Sequence, residues 1–223
     1  MNMASKNKTK VHFKAGSRKE KEYLARRGDI LQAAEKLFAE RGFHRATMSG
    51  LADLSEFSVG TLYHFFKSKE EVYYTLILEK LHLLRVRTEK EVSQHPAGPS
   101  QVESLIQASL QFFQENQGFF QIFIQERSSL ELSVGAAAGE ELRKQYLAYI
   151  AVVAKVMAQG IKKGYIQDHS PMELAYSLVG MLNSFIFHWT LYPQDNELVS
   201  KVPLLYDLFL RGAAKRVEKG RVD

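Results

Sequence analysis

A chain of 223 residues, 45% apolar and 25% charged, is long enough to bury a core, and its lack of cysteine excludes a disulfide framework, a thiolate metal site and a cysteine nucleophile. The net charge of +5 is unevenly placed: residues 1–27 hold nine Lys/Arg against Glu20 and Glu22, so the remainder is slightly acidic. No run of about 18 uncharged apolar residues occurs, and no apolar stretch follows the basic N-terminus, so neither a membrane span nor a secretory signal is expected and a cytoplasmic location is.

In chain order, residues 1–22 are predicted to be a disordered basic arm, being polar and without an apolar period. Such an arm suits phosphate contacts with counterion release. A helical period begins at about Tyr23, where Ile30, Leu31, Ala34, Leu37 and Phe38 fall on one face. Gly42, free to turn left-handed, ends that helix. Thr47 is placed to cap a short helix over 48–54, and Ser58 another running to about Phe65. Ser68 with Glu71 makes a capping box, which opens a helix through Val72, Leu76, Ile77, Leu81 and Leu84 to about Glu91. Pro96, Gly98 and Pro99 mark a break.

Helices are then predicted over 101–117 and 118–130, with a loose stretch over 133–139. A long amphipathic helix follows over 140–163, carrying Leu142, Tyr146, Tyr149, Val153 and Met157 on one stripe and Gly164 as its stop. Ser170, Pro171 and Glu173 read as cap, first helical residue and box partner of a helix bearing Leu174, Leu178, Met181, Phe185 and Trp189. A last helix is expected over 197–219, with Pro203 at its start or at a kink. No strand pattern and no internal repeat is found, and the fold class is all-α: a three-helix N-terminal domain and a larger C-terminal helical domain.

The informative stretch is T-M-S-G-L-A-D-L-S-E-F-S-V-G-T-L-Y-H-F-F, residues 47–66. A helix-turn-helix needs a small residue where its helices cross, which Ala52 supplies, and a compact core, which Leu51, Phe57 and Leu62 supply. The second helix would then show Val59, Thr61, Tyr63 and His64 to the major groove. With Ile30, Ala33, Ala34, Leu37, Phe38, Gly42 and Phe43 before it and Lys67, Ser68, Lys69 and Glu70 after it, the segment resembles the DNA-binding domain of the TetR family over about residues 24–84. The run S-x-G-T-L-Y-x-F-F-x-S-K-E carries most of that specificity.

The resemblance implies a DNA-binding domain over 23–69 and a ligand-binding and dimerisation domain over 70–223. It implies that Thr47 meets a backbone phosphate, that Ser58, Val59, Gly60 and Thr61 lie at base edges, and that Tyr63, His64 and Lys69 hold phosphates. Arg45 joins them because residues 28–69 balance five bases with five acids, which makes each exposed cation there count. Leu51, Ala52, Phe57, Leu62, Phe65 and Phe66 are expected to be core. One departure stands out: the family's usual turn glycine is Glu56, so either a glutamate turns left-handed at some cost or the turn differs.

The resemblance also implies a small-molecule pocket in the C-terminal helices and a homodimer through helices at about 171–191 and 197–219, which would read a palindromic operator. Phe112, Phe119, Phe123, Tyr149, Phe185, His188 and Trp189 are the candidate pocket residues, with Asn183, Glu126 and Arg127 as possible polar anchors. Such a lining suits an apolar or aromatic effector, and aromatic faces also attract cations. No phosphate-binding glycine loop, H-E-x-x-H or nucleophile–base pair is found, so no catalytic residue, metal or cofactor is expected. The expected function is a ligand-released repressor of double-stranded operator DNA, acting as a homodimer away from the membrane. The alternative is a DNA-bound structural or cell-division factor without a ligand, which a fully packed C-terminal core would favour.

Overall fold

The computed structural model describes residues 15–125, 136–192 and 197–213, and within these the side chains of 123–125, 136–138 and 213 are not described. The described residues form helices α1 (Arg18–Arg45), α2 (Met48–Ser55), α3 (Val59–Phe65), α4 (Lys69–Ser93), α5 (Pro99–Glu115), α6 (Gln117–Gln125), α7 (Ala136–Lys163), α8 (Pro171–Leu191) and α9 (Val202–Ala213). A 3-10 turn (Leu198–Lys201) precedes α9, and no strand occurs among the described residues.

The first helix starts at Arg18, five residues before the apolar period does. Ser17 is the reason: its hydroxyl accepts from the Glu20 N–H, and the Glu20 carboxylate accepts in return from the Gly16 N–H. Residues 18–22 are therefore helical and not arm. Of the basic residues counted with the arm, Arg27 is fixed on the body of the protein, paired with Glu79 of α4 and lying 5.4 Å from the Phe66 ring centroid. Residues 1–14 of the arm lie outside the described residues. At Gly42 the backbone turns to φ 72°, ψ 162°, which breaks α1 before its last three residues.

Burial follows the predicted stripes. Ile30, Leu31, Ala34, Leu37 and Phe38 of α1 are buried, as are Val72, Leu76, Ile77, Leu81 and Leu84 of α4. α5 is buried along nearly its whole length, with Val102, Leu105, Ile106, Leu110 and Phe112 fully enclosed between α4, α8, α9 and the 3-10 turn. α7 packs along both α4 and α8.

Other features also differ from expectation, among them the start of α5 at Pro99 instead of 101. Residues 136–139 are helical and not loose, in keeping with the high helix propensity of their three alanines. Ser170 makes no side-chain cap bond, although Pro171 does open α8. The expected helix over 197–219 is a 3-10 turn followed by α9, because Pro203 lacks the N–H needed to continue an α-helix backwards. Residues 126–130, 133–135 and 214–219 of the expected elements lie outside the described residues.

Candidate functional site

The head of the molecule is built from capped helices. Thr47 Oγ1 accepts from the Gly50 N–H at 3.0 Å and so starts α2. Ser58 Oγ accepts from the Thr61 N–H at 3.0 Å and starts α3, while bonding the Thr61 hydroxyl at 2.8 Å. The turn between them passes through Glu56 at φ 58°, ψ 24°, so the glutamate does adopt the left-handed conformation. Leu51, Ala52 and Leu62 are buried and Phe57 is partly buried, which fixes the crossing of α2 and α3. Tyr23 of α1 stacks on Phe65 at 4.7 Å between centroids and holds α3 from its far side.

This packing leaves one face of α3 turned outward. Ser58, Val59, Gly60, Tyr63 and His64 are exposed, Tyr63 at 52%, and Thr61 is half-buried with its hydroxyl engaged on the cap. Arg45 and Thr47 are exposed beside them, with the Arg45 Nε–H donating to the Arg41 carbonyl. Eight of the nine expected DNA-facing residues thus share this end of the molecule with free surface or a short reach to it. Lys69 departs from the group. Its ammonium donates to the carbonyls of Phe43 (2.7 Å) and Ala46 (2.9 Å), and sits 4.4 Å from the Phe43 ring centroid.

Head and body meet at a clasp that sequence reasoning did not find. Glu35 of α1 pairs with Lys80 of α4 at 2.6 Å, and its other carboxylate oxygen accepts from the Phe119 N–H in the first turn of α6 at 3.0 Å. A carboxylate at a helix N-terminus satisfies a donor that the helix itself leaves open. Lys80 also donates to the Asn116 side chain. The partners Glu35 and Phe119 are 84 positions apart, so no local motif signals the contact.

The body encloses a void lined by Leu81 and Leu84 of α4, Phe113, Phe119, Tyr146 and Tyr149, and Val179, Leu182 and Asn183 of α8. Its volume is about 10 Å³, of the order of one water molecule. Among the described residues, no charged side chain lines it. Burial pushes the Tyr149 phenol up to about 12, so it is neutral. Its hydroxyl lies 3.0 Å from Ser109 Oγ, whose own proton is given to the Leu105 carbonyl, so Tyr149 donates there.

The expected pocket residues do not converge on this void. Phe119 and Tyr149 line it, together with the anchor Asn183. Phe112 is fully buried and packs edge-on against Phe113 and Phe119. Phe185, His188 and Trp189 border a separate groove of about 570 Å³ with Tyr192, Lys201 and Leu204, between α8 and α9. The separation runs along α8: Phe185, His188 and Trp189 lie up to about two turns beyond Leu182, beside the 3-10 turn and α9. The Phe123 side chain, Glu126 and Arg127 lie outside the described residues.

One side of α8 and α9 is apolar and exposed, at Met172, Tyr176, Phe187 and Leu191 and at Leu204 and Leu208. Gly180, at mid-helix in α8, has open space where a Cβ would stand. α8 is long and apolar enough to cross a membrane by length and composition, contrary to the expectation from uncharged runs. Leu174, Leu178, Leu182 and Ile186 nonetheless pack into the core.

Comparison with known proteins covers both parts. Residues 30–74 match the family model described as "Bacterial regulatory proteins, tetR family", and residues 98–190 match "Tetracyclin repressor-like, C-terminal domain". The chain is 27% identical over 180 residues to the uncharacterized HTH-type transcriptional regulator YhgD of Bacillus subtilis, covering 79% of this chain and 92% of that one. It is 29% identical over 156 residues to the HTH-type transcriptional repressor KstR2 of Mycobacterium tuberculosis, covering 70% and 76%. Among solved structures, the transcriptional regulator FadR from Bacillus subtilis in complex with stearoyl-CoA superposes with a TM-score of 0.72 at 19% identity, over 83% of this chain and 98% of that one. That last likeness is one of fold.

Proposed function

The chain belongs to the TetR family of bacterial transcriptional regulators, and on that premise we propose that it is a repressor that holds a palindromic operator as a homodimer and releases it on binding a long apolar effector of the acyl-thioester type. The observation that carries this reading is the void. Its described lining is almost wholly apolar, and it is walled by α4, the helix that leads directly out of the DNA-reading head. An apolar wall of leucine, valine and aromatic side chains suits an acyl chain. FadR of Bacillus subtilis, whose solved complex holds stearoyl-CoA, lends the ligand class its chemistry.

Residues Arg45, Thr47, Tyr63 and His64 position the head on phosphates in this reading, and Ser58, Val59, Gly60 and Thr61 lie at base edges. The exposed apolar side of α8 and α9 pairs with its copy, which places two recognition helices about one DNA turn apart, roughly 34–36 Å. Phe185, His188 and Trp189 then belong to the rim of that pairing face, and Phe119, Tyr149 and Asn183 to the effector cavity. Typical small-molecule pockets measure about 300–1,000 Å³, so an effector must part α4 from α7 and α8. Ligand thereby selects an open body whose α4 has moved, and the two heads no longer fit successive grooves.

A second reading rests on the same void. Its small size is what a DNA-bound structural factor with no ligand would show. Stearoyl-CoA separates the two: the repressor reading expects it to raise Tm and to lower retention of the protein on DNA from its own upstream region. Retention and Tm both unchanged across a chain-length series would favour the structural factor. Absence of any shift of that DNA at low salt would remove both.

A further inference from the structure

The resemblance places Lys69 on the DNA backbone, but its ammonium is already committed. Three N–H donors are available on a lysine. Two go to the carbonyls of Phe43 and Ala46 at 2.7 and 2.9 Å, and the third points to the His44 carbonyl at 3.5 Å. The ammonium also lies over the Phe43 ring, which is itself packed on Tyr73 of α4 at 4.7 Å between centroids. These acceptors are carbonyls of the segment after the break at Gly42, where the backbone lacks full helical partners. A phosphate contact would require Lys69 to abandon them and expose their negative end to an anion.

We infer that Lys69 is a positioning residue and not a phosphate ligand: it clamps the α1–α2 connection, residues 43–46, to the first turn of α4. The inference rests on the DNA-binding reading above. Ala46 precedes Thr47, whose hydroxyl starts α2, so whatever displaces residues 43–46 displaces the helix-turn-helix. Leu81 of α4 lines the effector void twelve residues further along the same helix, about 18 Å away. Lys69 therefore ties the head to the helix that an effector would move.

The test uses the full-length chain with Lys69→Met, which keeps the stem over Phe43 and removes the ammonium, and Lys69→Arg as the conservative replacement. A clamp predicts that Lys69→Met lowers Tm by about 2–4 °C. At a temperature where both proteins are folded, it lowers the ratio of operator to non-operator affinity about five-fold. The slope of log affinity against log salt stays at the wild-type value, and Lys69→Arg restores much of both losses. A merely stabilising residue would change Tm and leave the ratio alone, which overturns the inference. A phosphate ligand would leave Tm alone and make the slope shallower by about 0.9 for each phosphate no longer neutralised, which also overturns it. If Lys69→Met does not fold, Lys69→Gln removes the charge and keeps an amide donor, and its slope and affinity ratio are read in the same way. A wild-type chain that binds no DNA sinks the functional reading; the clamp is then read from amide exchange, where quickening in Lys69→Met centred on residues 43–55 supports it and uniform or absent quickening overturns it.

Discussion

The head and the body of this molecule are specified by different means. Each of α1 to α4 begins on a serine or threonine whose side chain accepts a backbone hydrogen bond: Ser17, Thr47, Ser58 and Ser68. α5 and α8 begin on proline after Gly98 and Ser170, with no side-chain cap bond at either. At the reading end α2 and α3 are only eight and seven residues long and share a small core, and so depend on local bonds to fix the angle of α3. The body depends on apolar burial, which is strong but less directional. A reading head that must present one geometry to DNA suits the first arrangement. A chamber that must part to admit a ligand suits the second.

Mutations can break or sharpen this contrast. Phe112→Ala removes a fully buried ring from the middle of α5 and is expected to cost about 3–5 kcal/mol. Urea unfolding would show it as a lower midpoint, and a loss of less than about 1 kcal/mol, the ordinary size of a point-mutant effect, would mean the body does not rest on burial. Thr47→Ala is expected to cost about 1 kcal/mol, and amide exchange should quicken first in α2. Uniform quickening across the body would contradict a local role for the cap.

Glu56→Gly acts in the opposite direction. Relief of the left-handed glutamate is expected to gain roughly 0.5–1 kcal/mol, read as a higher Tm, and a lower Tm would mean that its side chain holds the turn. Ser170→Ala is the smallest effect. With no cap bond to lose, it should stay within about 0.5 kcal/mol of wild type, and a cost equal to that of Thr47→Ala would erase the contrast.

The same contrast explains what the sequence discloses. Thr47, Ser58 and Ser68 are legible as caps because a cap and its partner lie three residues apart. Ser17 and Glu20 have that spacing too, but they sit in a basic stretch whose composition suggests disorder. The void is less legible. Periodicity assigns Phe112 and Phe113 to a buried face without saying which of them meets a cavity, and only Phe113 does. On α8, Asn183 and His188 are equally plausible anchors by type, yet they face different chambers. The Glu35 clasp on Phe119 depends wholly on how two distant segments pack. Lys69 is legible as a cation at a helix start, while its partners belong to another helix.

The near-closed void has a kinetic consequence. If an effector enters only when α4 stands apart from α7 and α8, its apparent dissociation constant is the intrinsic one divided by the fraction of molecules already open. Association then stops rising with effector concentration once it reaches the frequency of opening. That plateau in a stopped-flow trace times the body's own breathing, and substitutions along the α4–α7 seam would change it without touching the ligand.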